Sequence, residues 1–334
     1  MTDPVPPLAL TMGEPAGVGP TLAARLWRDR RHHSLPEFCF YGDSAALHAV
    51  DPDLPVLHVA TPEEATTVFD RALPVMPLPL GAPVVPGQLN PLNGPGVIAA
   101  IDRAVADCRA GRVSGVVTAP IHKKALYDTG FDAPGHTEYL ARLCGMADEA
   151  SIMMLMAADL KVVPVTIHIP LKDVADRLTV DGIVHAGRVL HRDLKHRFAL
   201  AAPRLALAGL NPHAGEGGGI GEEESRLLAP AVARLRGQGV DITDPQSADT
   251  LFHPEARTQY DAALCMYHDQ ALIPVKTIDF WGGVNVTLGL PVIRTSPDHG
   301  TALNLAGSSA ARPESLLAAI RAAHMMAVRS AGRS

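Results

Sequence analysis

Residues 8–28 read LALTMGEPAGVGPTLAARLWR. The apolar run Leu8–Thr11 has the length of a short buried strand, and Thr21–Asp29 has the Ala/Leu/Arg composition of a helix. Between them lie Gly13, Gly17 and Gly19, with Glu14, Pro15 and Pro20. A tight turn needs a glycine or two to reach positive φ. Three also let a backbone approach a ligand closely, and the helix beyond offers N–H groups and a positive dipole end. The spacing matches neither G-x-G-x-x-G nor the phosphate loop ending in Gly-Lys-Ser/Thr. The stretch therefore reads either as a plain strand-to-helix connector or as a ligand loop.

The same alternation continues along the chain. Apolar runs predict strands at Leu8–Thr11, Gly115–Thr118, Val162–Ile169, Leu205–Ala208, Ala262–Tyr267 and Val284–Leu288. Helical composition marks Thr21–Asp29, Gly96–Ala110, Thr137–Cys144, Val180–Leu190, Ser225–Gln238 and Pro313–Val328. Strands alternating with helices predict an α/β fold with a parallel or mixed sheet. The Pro-rich segment Leu73–Pro95 is expected to be a long surface connection, since proline suits neither a central strand nor a helix. The 334 residues allow one large or two medium domains.

Bulk composition narrows the function. Hydrophobic residues make up 47% and charged residues 19%, an ordinary soluble balance. The net charge of −6 lacks the basic excess of a general nucleic-acid binder. No apolar stretch approaches the ~18 residues of a membrane span, and no leader pattern is visible. Cys39, Cys108, Cys144 and Cys265 are widely scattered, which suits free thiols in a cytoplasmic protein better than a disulfide frame.

Chemistry gathers at the ends of the expected strands. VVPVTIHIP places His168 at the end of one, LALAGLNPHAGEGGG places His213 just past another, and AALCMYHDQ places His268 after a third. Ligands of open α/β sheets collect outside the carboxyl ends of strands. Three neutral imidazoles there form a good site for a borderline divalent metal. Any single one of them can equally be a strand-end histidine bonded to a backbone carbonyl. His136 and Thr137 open a helix after a Pro-Gly turn, with Thr137 or a neighbour able to cap it. Lys276, Asn285 and Arg294 follow or sit within short apolar runs. Arg and Lys beside a cleft suit a phosphate or carboxylate, although both are ordinarily surface charges. The loop SPDHGTALNLAG, Ser296–Gly307, has groups able to read an adenine or ribose, or simply to cap the next turn. No nucleophile elbow, Ser/His/Asp order or Cys/His pair stands out, which disfavours covalent catalysis.

Eight stretches, LTMGEPAGVGP, TAPIHKKAL, GHTEYLA, VTIHIPL, LNPHAGEGG, SADTLF, YHDQALIPVK and IRTSPDHGTALNLAG, occur in this order. Together they closely resemble the 4-hydroxythreonine-4-phosphate dehydrogenases of vitamin B6 biosynthesis, over almost the whole chain. The resemblance implies an isocitrate/isopropylmalate-dehydrogenase-like fold. Its two α/β domains would flank a cleft, with a mixed, largely parallel sheet. We expect residues 1–130 plus 280–334 in the first domain, and 131–279 in the second with the interface of a homodimer. It further implies a divalent metal (Zn, Mg or Co) held by His168, His213 and His268 and shared between subunits. Substrate contacts would come from His136, Thr137, Lys276, Asn285 and Arg294. NAD, or NADP, would lie near Gly13, His299, Gly300 and Asn304. The family usually carries Asp where this chain has Asn304.

The implied reaction oxidises 4-phosphooxy-L-threonine at C3 to a β-keto acid, which decarboxylates to 3-amino-2-oxopropyl phosphate. Asp249 in SADTLF is the candidate proton acceptor. Relatives that oxidise phosphorylated hydroxy acids such as 4-phospho-threonate or erythronate, or dihydrodiol carboxylates, share the three histidines. A metal-dependent hydrolase or aldolase, or a phosphometabolite-binding protein, are rival readings of the same residues. No nucleic-acid or membrane partner is expected.

Overall fold

The computed structural model describes residues 5–127, 130–133 and 135–332. The strands are β1 (Leu8–Thr11), β2 (Phe38–Gly42), β3 (Val56–His58), β4 (Leu73–Pro77), β5 (Val116–Thr118) and β6 (Ile152–Ala157). They continue as β7 (Leu160–Pro164), β8 (Arg204–Ala208), β9 (Asp241–Gln246), β10 (Ala262–Cys265), β11 (Val284–Leu288) and β12 (Arg294–Pro297). The chain divides into two compact units, residues 1–150 with 290–334, and residues 151–289.

In the first unit the strand order is β3-β4-β2-β1-β5-β12, and every pair is parallel. All residues of β1 and β2 are buried. Strands covered on both faces need near-continuous apolar runs, which LALT and FCFYG supply. Helices Gly94–Arg109 and Glu314–Ala331 pack on these strands. In the second unit the order is β11-β6-β7-β10-β8-β9. There β11, β6 and β7 run antiparallel to their neighbours in that trio, whereas β7, β10, β8 and β9 are parallel. Both units are thus α/β, and the sheet structure is mixed and largely parallel.

The division falls at residues 150 and 290, not at the expected 130 and 280. Helix His136–Leu143 buries Leu140 and Ala141 against Ile101, Val105, Leu290 and Val292, so this segment belongs with the first unit. At the other boundary, β11 pairs along its whole length with β6 and stays in the second.

The Pro-rich segment departs from expectation. Its first residues form β4, which lies between β3 and β2. Pairing with β2 begins at Phe40↔Val75, and pairing with β3 ends at His58↔Val75. Pro74 and Pro77 therefore flank the shared rung, where neither needs to donate within both ladders. Residues 38–42, 152–157 and 241–246 were not expected as strands. Among the described residues Cys39, Cys108, Cys144 and Cys265 are all free thiols, and Cys39, Cys144 and Cys265 are buried. Among the described residues no helix is long and apolar enough to cross a membrane.

Asp107 anchors the first unit electrostatically. Its carboxylate is wholly buried, accepts from the Tyr41 hydroxyl at 2.7 Å, and pairs with Arg103 and Arg112. Burial pushes its pKa up, but the hydrogen bonds from Arg112, Tyr41 and Arg103 outweigh this and hold it below the usual value. A depressed carboxyl contributes stability above its unfolded pKa, and that contribution is lost as pH falls through the folded value. Asp107→Asn is expected to lower the unfolding free energy near neutral pH by about 2 kcal/mol. Urea melts should show this deficit narrowing below about pH 4; a deficit independent of pH would contradict the charged role.

Candidate functional site

The second unit brings the three histidine-bearing segments to one edge. β10 lies between β7 and β8, all parallel, so their carboxyl ends emerge side by side. His168, His213 and His268 follow these ends. His168 does not end a strand as expected, because β7 stops at Pro164. The chain instead runs on beside the exit of β10: Val165 N–H donates to Cys265 O, and the Thr166 hydroxyl donates to Met266 O at 2.7 Å. His268 is the first residue of helix His268–Ile278. Gln270, on its first turn, accepts from Met266 N–H at 2.6 Å and donates to Gly209 O at 2.7 Å. One side chain thereby ties this helix to the exits of both β10 and β8.

The rings of His168 and His268 stand 5.7 Å apart, centroid to centroid. Both line a pocket of about 230 Å³ with Thr166, Ile167, Tyr267 and Asp269. His268 Nδ1 lies 2.7 Å from Asp269 Oδ1, which leaves Nε2 as the nitrogen for another partner. An imidazole oriented by a carboxylate, facing a second imidazole, suits a borderline divalent ion. Among the described residues, however, no three His, Cys, Asp or Glu side chains of this chain gather closely enough to hold one. The donor chemistry fits a metal, and the set gathered in one chain stops short of three.

His213 is exposed, on a turn of unusual backbone. Residues 213–217 all have positive φ, at 52°, 51°, 77°, 45° and 67°. For His213, Ala214 and Glu216 such a conformation costs roughly 1 kcal/mol or more each. Asp249 lies within electrostatic reach of His213. A hydrogen bond from the Ser247 hydroxyl, chiefly, holds the Asp249 carboxyl below its ordinary pKa. That shift makes Asp249 a weaker proton acceptor, not a stronger one.

Two other candidates of this unit sit differently from expectation. Lys276 is in the last turn of helix His268–Ile278, not at a strand end, with its Nζ 5.1 Å from the centre of the Phe280 ring. Asn285 lies within β11, and its Oδ1 is buried with no hydrogen-bond partner among the described residues. A buried polar atom of that kind is a place for a ligand donor.

The first unit holds the other candidates. Arg294 opens β12 and is only 3% exposed. Its Nε and Nη2 donate to the Thr118 hydroxyl at 3.1 and 2.8 Å. Burial lowers its pKa to about 10, with Glu138 acting the other way, so it stays cationic at neutral pH. His136 begins helix His136–Leu143, whose N-cap is Gly135 rather than Thr137. The His136 Nε2 is buried and has no hydrogen-bond partner among the described residues. Burial first, then the charges of Arg294 and Lys123, push its pKa well below 6.5. A neutral imidazole beside two cations is a hydrogen-bonding group in an anion-attracting environment. Thr137 is half-buried one residue along.

The glycines of the Gly-rich loop lie close against protein backbone. A Cβ on Gly13, at φ +65°, would lie 2.5 Å from Pro120 O; one on Gly17 would lie 2.9 Å from Thr301 O, and one on Gly19 2.6 Å from Met12 O. The glycines are thus required by protein backbone. The helix here, Val18–Arg28, includes Gly19, has its first N–H bonded to Thr301 O and carries Pro20 in its first turn, so few donors remain. The loop does join the segment expected near cofactor. Gly307 N–H donates to the Thr21 hydroxyl, and His299 Nδ1 lies 2.9 Å from Gly300 O. Gly300 has open space around it, and Asn304 is exposed.

The family model for the pyridoxal phosphate biosynthetic protein PdxA matches residues 34–323. The chain belongs to the PdxA family. Its relatives agree. A 4-hydroxythreonine-4-phosphate dehydrogenase of Caulobacter vibrioides is 50% identical over 97% of this chain and 98% of its own length. One of Methylorubrum populi is 51% identical over 97% and 95%. The crystal structure of the Klebsiella pneumoniae enzyme of that name superposes with a TM-score of 0.83 at 36% identity, covering 96% of this chain and 99% of the other. A terephthalate 1,2-cis-dihydrodiol dehydrogenase of Burkholderia xenovorans gives 0.66 at 28%, covering 95% and 97%.

Within this PdxA-family chain, sequence reading passed over several residues that the fold places beside the candidates. Lys123 acts on His136, Thr118 binds Arg294, and Gln270 fixes the helix of His268. Glu14, also passed over, is 5% exposed; burial raises its carboxyl pKa, against a bond from Ala16 N–H and the nearby His122. The stretch TAPIHKKAL carried the only hint of Thr118 and Lys123. The depressed pKa of His136 has a sign that can be read. Unfolded His136 takes up a proton near pH 6.5, which the folded ring refuses, so its burial costs stability as pH falls below that value. Nitrogen-15 NMR should find the ring neutral at about pH 6. Arg294→Leu should raise its midpoint by removing a positive neighbour; an unchanged midpoint would separate the two side chains.

Proposed function

We propose that this protein is an NAD-dependent 4-hydroxythreonine-4-phosphate dehydrogenase. It would oxidise 4-phosphooxy-L-threonine at C3 to a β-keto acid, which loses CO2 to give 3-amino-2-oxopropyl phosphate for pyridoxal phosphate biosynthesis. The observation that carries this reading is 50% identity over 97% of the chain to a protein of that name. We further propose that the protein works in the cytoplasm as a homodimer with a divalent ion, Zn, Mg or Co, shared between subunits. Support for sharing comes from the histidine pair of one chain, which falls short of a full ligand set. The exposed Ile169, Leu171, Ile220, Ile273, Phe280 and Trp281 of the second unit supply apolar surface for a subunit contact.

His168, His213 and His268 would hold the ion. Bound there, the ion would supply a Lewis acid that makes the substrate hydroxyl more acidic, and the nicotinamide would accept the hydride. Arg294 contributes a permanent charge for a phosphate or carboxylate, and Thr118 keeps its guanidinium fixed. Neutral His136 offers a hydrogen bond from Nε2 without adding charge. Lys276, steadied against the Phe280 ring, supplies a second cation, and Asn285 Oδ1 can accept from a hydroxyl or amine. Thr137 adds a hydroxyl, and Gly13, His299, Gly300 and Asn304 face the cofactor. With Asn304 in place of Asp, repulsion of a 2′-phosphate is weaker, so discrimination against NADP should be reduced.

A second reading has its own support, the likeness to a dihydrodiol dehydrogenase at TM-score 0.66. The same cations would then hold a carboxylate. NADH formation with 4-phosphooxy-threonine, phospho-erythronate and a dihydrodiol carboxylate, side by side, decides between them. No NADH from any of the three would return the hydrolase, aldolase or binding-protein readings.

Arg294→Ala is expected to raise KM for the preferred substrate by about 10-fold or more while KM for NAD stays within about twofold. An equal rise in both would put Arg294 elsewhere. Shared ligands make a further expectation. His168→Ala, His213→Ala and His268→Ala should each be inactive alone. Refolded as equal mixtures, two of the three pairings should recover about a quarter of wild-type activity, because half the dimers are mixed and each has one intact site. Recovery by no pairing, with mixed dimers verified by tagged pull-down, would place all three ligands on one chain.

A further inference from the structure

We propose that Glu224 is the residue that positions His213, by clamping the left-handed turn on both sides of it. The inference rests on the reading of His213 as a metal ligand. Glu224 is only 8% exposed. Its Oε1 accepts from Asn211 N–H at 2.7 Å, and its Oε2 accepts from Asn211 Nδ2 at 2.9 Å. The carboxylate of Glu223 takes the same side-chain amide at 2.7 Å. Asn211 stands two residues before His213. Two residues after it, Gly215 lies against the same carboxylate, where a Cβ would come within 2.6 Å of Glu224 Oε2. One buried side chain thus meets the chain before and after the imidazole.

The turn has need of such a clamp. Six consecutive residues with positive φ, 213–218, are not a self-sustaining conformation, and three of them are not glycine. Backbone bonds tie it to its ends: Ala214 N–H to Asn211 O, Gly219 N–H to Glu216 O and Ile220 N–H to Gly215 O. His213 itself is exposed, so no packing sets its direction. Glu224 comes from a firmer element. It opens a π-helical turn, Glu224–Leu228, that leads directly into helix Ala229–Gly237. Leu228, Ala231, Val232 and Leu235 bury that stretch in the core of the second unit. The wider π turn is a common device for placing a functional side chain. Gly221 completes the fit, since a Cβ there would meet Asn211 Nδ2 at 2.4 Å. Glu224 touches no reacting atom in this scheme; it acts through Asn211 and the turn.

The test is Glu224→Gln, which keeps the size but turns an NH2 group toward the Asn211 donors. Full-length protein is titrated with Co2+, read by its visible ligand-field absorption. The His213 ring is followed by nitrogen-15 NMR, and backbone amides 211–217 by hydrogen exchange. Wild-type protein should give a tetrahedral-type Co2+ spectrum. In the variant, Co2+ affinity should fall by about 10- to 100-fold, with faster exchange confined to the turn and a little-changed Tm. Unchanged affinity and unchanged exchange would overturn the proposal. A loss of Tm matching the loss of affinity would reduce Glu224 to a structural role and overturn it equally. Should Glu224→Gln fail to fold, Asn211→Ser removes the clamped amide from the other side and is read by the same measures. Wild-type protein that binds no Co2+ in any state would instead remove the metal reading of His213. The exchange and NMR arms would then still decide whether Glu224 orders the turn.

Discussion

The side-chain amide of Gln270 meets two obligations that every bundle of parallel strands creates. Parallel strands finish at one edge, and the backbone groups just past the ladder lose their partners there together. Gln270 accepts from Met266 N–H beyond β10 and donates to Gly209 O beyond β8. The Thr166 hydroxyl donates to Met266 O between the exits of β7 and β10. Unmet, each of these buried groups would cost the fold about 1–3 kcal/mol. Met, they leave the three exit segments in a fixed order, and those segments carry His168, His213 and His268.

The functional candidates are therefore held by groups that finish secondary structure. Thr118, the last residue of β5, receives two bonds from the Arg294 guanidinium. Asn211 lies just beyond β8 and is gripped by Glu223 and Glu224. Electrostatics in the two units run differently. The first buries charge deliberately: a cationic Arg294, a neutral His136 and the anionic Asp107 within its ring of donors. The second keeps its three candidate histidines at or near the surface of the chain, where a pocket of about 230 Å³ opens between two of them. Buried cations favour anionic ligands, and open imidazoles favour ions that arrive with further ligands.

Much of the fold was legible because its signals are local. β1, β5, β8, β10 and β11 lie within a residue or two of the expected apolar runs, and six long helices follow from composition alone. β2, β3, β4, β6, β9 and β12 escaped, some for identifiable reasons. DITDPQ, the sequence of β9, is polar because most of it is not buried. β4 holds two prolines, which local rules exclude from a central strand. β12 begins on an arginine, a residue seldom found fully buried.

What the sequence alone determined is the inventory: an alternating α/β chain and histidines past three strand exits. Its motifs, read together, pointed to the PdxA family. Residue type and local spacing carry that information, since period, turn chemistry and motif order are properties of the chain in one dimension. Only the tertiary structure decided which groups meet. That Gly13, Gly17 and Gly19 are pressed against the backbone of Pro120, Thr301 and Met12 depends on contacts with distant parts of the chain or on the fold of the loop itself. That Lys123 and Arg294 both bear on His136, and that Glu224 bridges Asn211 and Gly215, are likewise distances in space. Sequence separation does not encode such distances, because strand order, not chain order, sets which ends lie side by side.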